Sequence, residues 1–198
     1  MKFICVIELF LCLVSAVCLA DEVNKKRLHV GVVFPDKSSI GVSLIPPVGV
    51  GWSVSRTPSS VTLTKKGSLV DENSEIEMYL IKPDVPGADL DLYLQVVRSN
   101  VVSEYRKGGK YSLVEFNVEK DFARSNCLIG HVLLQYLPSA SEGDVRKLSE
   151  QYFLSCLSNK FNNVGYEVRY YQRYFYNNGD KELKNKATAL FDDVVISE

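Results

Sequence analysis

The chain has 198 residues and a mass of 22.2 kDa, with 46% apolar, 24% charged and 11% aromatic residues. This is the composition of a globular domain with a core, and it excludes intrinsic disorder, collagen-like repeats and low-complexity scaffolds. Lysine plus arginine number 23 against 24 aspartate plus glutamate, a formal charge of −1, so no global field draws the chain to nucleic acid or to an anionic surface. A length near 200 supports one domain that folds without disulfide staples.

The first residues carry an address. Lys2 is a short basic start, Leu9 to Leu19 is an uninterrupted run of apolar and small residues, and a polar stretch from Asp21 to Arg27 follows. The run has the length of a signal-peptide core and is too short to span a bilayer. Glu8 limits the effective core to the residues after it. Cys18 and Ala20 satisfy the small-x-small cleavage rule, which predicts a signal peptide over 1–20 and a mature start at Asp21. The expected location is the periplasm or the exterior. The alternative is lipidation at Cys18, which would anchor the protein to a membrane as a lipoprotein; Val17 and Ser15 depart from that motif. A short strand in residues 21–37 then precedes one α+β domain over 38–198.

Of five cysteines, Cys5, Cys12 and Cys18 fall in the leader, leaving Cys127 and Cys156. In an exported chain an even pair is a disulfide candidate; two reduced, buried thiols are the other reading. No CxxC, HExxH or clustered Cys/His spacing is present, so no metal and no cofactor is implied.

Residues 28–34 and 39–45 are β-branched runs separated by Pro35-Asp36, and both predict strands. Pro46, Pro47, Gly49 and Gly51 then impose a loop that leads to Trp52, the sole tryptophan. Trp52 to Arg56 and Val61 to Thr64 flank a Thr-Pro-Ser-Ser turn and alternate with period two, as a hairpin with one buried face does. Glu75 to Ile81 is a further alternating strand, stopped by Pro83 and Pro86.

The period then changes. Leu90, Leu94, Val97, Val101 and Tyr105 form one stripe of an amphipathic helix, capped by Asp89 and ended by Gly108-Gly109. Four strands follow, over 111–118, 127–137, 145–157 and 164–176, with a turn-rich loop at 138–144. A turn centred near residue 141 places Leu137 opposite Arg146 and, in the same register, Cys127 opposite Cys156; a slip of one residue would part them. Asp180 opens a final helix carrying Leu183, Ala187, Leu190, Phe191 and Val194. The predicted fold is an antiparallel sheet covered by two main helices.

The run from Tyr166 to Tyr176 is unusual. In a strand, Tyr166, Val168, Tyr170, Gln172, Tyr174 and Tyr176 point one way, as a core or pocket wall. Glu167, Arg169, Tyr171, Arg173 and Phe175 point the other way. Arg169, Tyr171, Arg173 and Phe175 there form a candidate partner-binding face, where guanidinium groups and rings would meet carboxylates or stack. The plainer reading is that their stems cover a half-exposed sheet.

Several stretches resemble the PsbP-like family of α/β/α sandwiches. They are Ile45-Pro46-Pro47 leading to Gly51-Trp52-Ser53-Val54, the helix over 89–107, the paired strands Lys147–Leu157 and Gly165–Tyr171, and the closing segment Phe191–Ile196. The resemblance covers residues 38–198. It implies a non-enzymatic domain that recognises a macromolecular partner or supports an envelope assembly, and it implies no catalytic residues.

The residues themselves offer little catalysis. His29 and His131 lie in apolar strands without a GxSxG-type elbow. Glu75/Glu77 and Asp192/Asp193 are paired carboxylates, and Glu75 and Glu77 sit at strand spacing on one face, which reads as a solvated one. The expected function is that of an exported binding or accessory protein of the cell envelope with an unknown protein partner, no nucleic acid, and membrane contact only through a lipidated Cys18. The alternative is a small-ligand carrier or hydrolase with a cystatin-like or nuclear-transport-factor-like pocket. A cavity lined by Tyr170, Tyr174 and His131 would favour it.

Overall fold

The structure, a computed structural model, describes residues 26–85, 89–106, 109–137 and 147–198. The leader with Cys18 and the cleavage point after Ala20, Pro86, Gly108, Val145 and the loop at 138–144 lie outside the described residues.

Ten strands and two helices are present among the described residues: β1 (Leu28–Val33), β2 (Ser39–Leu44), β3 (Trp52–Arg56), β4 (Ser60–Lys66), β5 (Asn73–Ile81), α1 (Leu90–Arg106), β6 (Tyr111–Lys120), β7 (Cys127–Tyr136), β8 (Lys147–Leu157), β9 (Gly165–Phe175), α2 (Leu183–Asp192) and β10 (Val195–Ser197). They build a mixed α+β fold with antiparallel sheets. The large sheet has seven strands in the order β3-β4-β5-β9-β8-β7-β6, and the small sheet has three in the order β1-β2-β10.

Each face of the large sheet buries its own apolar set. One face carries Val61, Leu63, Ile76, Met78, Val168, Leu154 and Cys127, covered by Leu28, Val30, Ile40, Val42 and Leu44 of the small sheet and by Leu183, Ala187, Leu190 and Phe191 of α2. The other buries Val118, Leu128, Val132, Leu134, Phe153 and Leu157 beneath α1. The three layers follow from strand alternation, which sends successive side chains to opposite faces.

The predicted register of β7 and β8 is the observed one. Cys127 lies opposite Cys156, and the two sulfurs are bonded. The three long meander strands were legible, and β6 extends them to four; the pairing of β5 with β9, which joins the hairpin region to the meander, was not.

Local signals were met unevenly. Asp89 caps α1, its carboxylate accepting from the Leu92 amide at 3.0 Å. The buried contact of α1 centres on Tyr93, 5% exposed, a residue outside the predicted stripe; Leu90, Leu94, Val97 and Tyr105 pack around it half-buried. Asp180 does not cap α2. The helix begins at Leu183, and the Asp180 carboxylate accepts from the Glu182 amide at 3.0 Å and from Lys186 Nζ. The chain leaves α2 at Asp192 and turns extended, so that β10 adds to β2, where periodicity had continued the helix to Val194.

Burial of phenols sets a pH limit. Burial pushes Tyr93 and Tyr170 up to about 12, while an unfolded tyrosine ionises near 10. Their neutral forms therefore favour the fold below pH 10, and that contribution is lost as pH rises through 12. In an alkaline titration the exposed tyrosines should ionise first, and a second rise in phenolate absorbance, from the buried ones, should coincide with loss of circular dichroism. Gradual ionisation of all tyrosines near pH 10 with the fold intact would contradict this.

Candidate functional site

The α1 face of the large sheet is only partly covered. Helix α1 packs on β6 and β7, and Tyr93 reaches β8, where its hydroxyl lies 2.7 Å from Ser155 Oγ. Beyond β8 the same face turns polar. Thr62 and Thr64 of β4, Glu75, Glu77 and Tyr79 of β5, and Arg169, Tyr171 and Arg173 of β9 stay partly exposed. The register sets Glu77 against Arg169, Glu75 against Tyr171 and Asn73 against Arg173, pairs whose charges and rings interact across strands.

Glu167 anchors this face from inside. Its residue is 8% exposed; Oε1 accepts from Tyr79 Oη at 2.7 Å and from Arg169 Nε, and Oε2 accepts from Ser155 Oγ at 2.9 Å. The Arg169 guanidinium also lies over the Tyr79 ring, 5.2 Å from its centroid. Burial, reinforced by the Glu167 charge, pushes the Tyr79 phenol far up. Burial also raises Glu77, against the pull of Arg169. The sequence reading put Glu167 on the outward face by alternation; the direction was right, but the carboxylate is sealed by its partners.

The four predicted face residues therefore differ in availability. Arg169 is held by Glu167. Tyr171 has its phenol raised by burial first and by the hydrogen-bonded Glu75 carboxylate second. Arg173 makes no ion pair among the described residues, and its Nε is buried without a hydrogen-bond partner. Phe175 lies at the β9 end, 5.5 Å beneath Lys147 Nζ. Lys147 itself pairs with Asp71 at 2.7 Å.

The opposite face holds two clefts, one on each side of α2. The first, about 560 Å³, has Trp52, Lys65, Ser74 and Tyr170 as its floor, Ala189 and Leu190 of α2 as one wall, and the Ile45–Val48 loop as the other. The second, about 450 Å³, contains Glu115, His131, Glu150, Tyr152 and Lys184. Tyr170 and His131 thus line separate clefts. Tyr174 lines neither, and its hydroxyl donates to Glu150 Oε2 at 3.0 Å.

His131 is held on both nitrogens. Nε2 lies 3.1 Å from Glu150 Oε1 and Nδ1 lies 3.5 Å from Glu115 Oε1, with the ring stacked on Tyr152 at 4.5 Å. Tyr152 Oη also donates to Glu150 at 2.9 Å. These donors, His131 foremost, hold the Glu150 carboxyl below the usual range. His29 is exposed, and its ring fills the space above Gly31 and Gly41, where a Cβ at either position would collide with it.

The remaining acidic candidates are structural. Asp193 accepts from Arg27 Nη2 at 2.9 Å and from the Ile45 amide at 2.6 Å, clamping the end of α2 to β2. Asp192 lies 3.6 Å from Arg124, whose Nη2 donates to the Phe191 carbonyl at 2.6 Å, a cation placed where the helix C-terminus favours one. Among the described residues no group of three or more Cys, His, Asp or Glu is arranged to hold a metal ion, and no helix is long and apolar enough to cross a membrane.

No family model matches the chain, and no curated protein matches it. Among solved structures, it is similar to LpqN, a protein involved in cell envelope biogenesis of Mycobacterium tuberculosis, at 13% identity and a TM-score of 0.48, over 88% of this chain and 93% of that one.

Proposed function

We propose that the protein is a non-enzymatic, exported accessory protein of the cell envelope that recognises a protein partner through the polar half of the α1 face, as expected of a PsbP-like domain. The observation that carries this reading is the state of β9: Arg173 stands partly exposed beside Tyr171 and makes no ion pair among the described residues, while Arg169 is fixed from within by Glu167. A cation without an ion pair next to a ring on a central sheet strand is a recognition element for a partner carboxylate. The strands that hold it lie at the centre of the large sheet, so the surface is pre-organised.

The test is capture from the native envelope fraction by the tagged protein, with crosslinking and mass spectrometry. Arg173→Glu combined with Tyr171→Ala should abolish recovery of the specific partner while moving Tm by no more than a few degrees, because both side chains are partly exposed. Undiminished capture of the same partner by that double variant would remove this face from consideration. Arg169 is left intact because its loss would free the buried Glu167.

A further inference from the structure

The cleft between α2 and the Ile45–Val48 loop has no part in the proposed partner face, which lies on the other side of the sheet. Its chemistry is specific. Ile45, Pro46, Pro47, Val48, Ala189 and Leu190 make two aliphatic walls, and Trp52 and Tyr170, in edge contact at 6.3 Å, make the floor. At about 560 Å³ it lies within the range of ligand sites, about 300–1,000 Å³.

Charge singles out one end. Besides Lys65, three charged side chains line the cleft, and each is paired: Asp180 holds Lys186, and Asp193 is held at 2.9 Å by Arg27, which lies outside the lining. Lys65 makes no ion pair among the described residues, is exposed, and runs its stem along Gly51. Ser74 lies directly across from it on β5. An aliphatic trough with one uncompensated ammonium and one hydroxyl at its end suits a ligand with an alkyl chain and one anionic head. The mouth is apolar too at Val48, which lines the cleft and is 96% exposed. Gly49 and Gly51, at φ of 129° and 93°, hold the loop in a conformation that other residues rarely adopt.

We infer that this cleft binds a single-chain anionic amphiphile of the fatty-acid type, with the chain between the 45–48 loop and α2 and the carboxylate on Lys65. Trp52 is the only tryptophan in the chain, so its emission reports the site directly. Decanoate, titrated into the full chain below its micelle concentration, should give a saturable blue shift of Trp52 emission, matched by heat in calorimetry. Lys65→Gln should weaken decanoate about tenfold, the scale of a lost charge-assisted hydrogen bond, and leave 1-decanol unchanged. Ala189→Phe, at an exposed helix position in the cleft wall, should block both probes without lowering Tm.

Three results would each overturn the inference: no saturable response to decanoate, equal decanoate affinity in Lys65→Gln, or binding to phosphatidylglycerol vesicles that survives Ala189→Phe while free decanoate fails to bind. The last would place the apolar loop on a bilayer surface instead of a chain in the cleft. Because Arg173 and Tyr171 are on the opposite face, their double variant should bind decanoate normally, which keeps this test independent of the partner reading.

Discussion

Replacing Cys127 and Cys156 together by alanine should lower Tm by about 6–16 °C, following a loss of about 3–4 kcal/mol for a loop of this size in a domain of this length. The bridge spans 29 residues and ties the start of β7 to the end of β8, the second and third strands from the β6 edge of the large sheet, where both cysteines are fully buried in the same apolar cluster as Leu154, Tyr166 and the inner residues of α2. Its main effect is to remove conformations from the unfolded chain, so the loss should appear in thermal unfolding while the native far-ultraviolet dichroism is retained at low temperature. Alanine is preferred to serine because a hydroxyl at either site would be buried among apolar groups. Because neither cysteine is exposed, reductant added to the folded protein should react far more slowly than reductant added in denaturant. An unchanged Tm in the double variant would mean that the bridge contributes nothing to stability.

Glu167→Ala should cost about 3 kcal/mol, the low end of the scale for removing one member of a buried ion pair, because the Arg169 side chain is 36% exposed. The loss has three parts, each visible in the structure. Arg169 keeps its charge with its nearest counter-ion gone, Tyr79 Oη loses its acceptor, and Ser155 loses one of its two partners, leaving only Tyr93. These groups link β5, β8, β9 and α1, so the damage is not confined to one strand. Tyr79→Phe removes a single donor to a charged acceptor and should cost about 1.5–3 kcal/mol. Combining it with Glu167→Gln should give a coupling energy well away from zero, as expected for groups in one network. A Glu167→Ala variant within about 1 kcal/mol of the parent by urea denaturation would show that the network is not a stabilising unit. The result bears on the proposed function, because this network fixes Arg169, whereas Arg173 makes no ion pair among the described residues.

Much of the fold was legible because strands and helices differ in apolar period. The alternation in Val61–Thr64, Glu75–Ile81 and the four later strands marked each one, and the Asp89 cap marked the start of α1. The β7–β8 register followed from near symmetry about residue 141. The candidate face was legible only in outline. Alternation assigned Arg169, Tyr171, Arg173 and Phe175 to one side of β9, but it does not distinguish a guanidinium held by a buried carboxylate from one left unpaired. Tyr93 and Ser155 carry no local signal, since a tyrosine in a helix and a serine in a strand acquire partners only when α1 is laid on β8.

The sequence by itself determined the mixed α+β class, the position of nearly every strand and the two amphipathic helices, and it offered the register that sets Cys127 opposite Cys156 while leaving open whether the two are bonded, since all of these depend on local period, turn chemistry or a short-range register. Only the tertiary structure decided that β1, β2 and β10 leave the large sheet to form their own, that β5 pairs with β9, and that α1 stops short of the β9-β5-β4 half of its face. Those are contacts between segments far apart in the chain, chosen by which apolar faces can be buried together. The same choice leaves Lys65 without an ion pair among the described residues in one cleft, sets His131 beside two carboxylates in the other, and leaves Arg173 partly exposed on the opposite side.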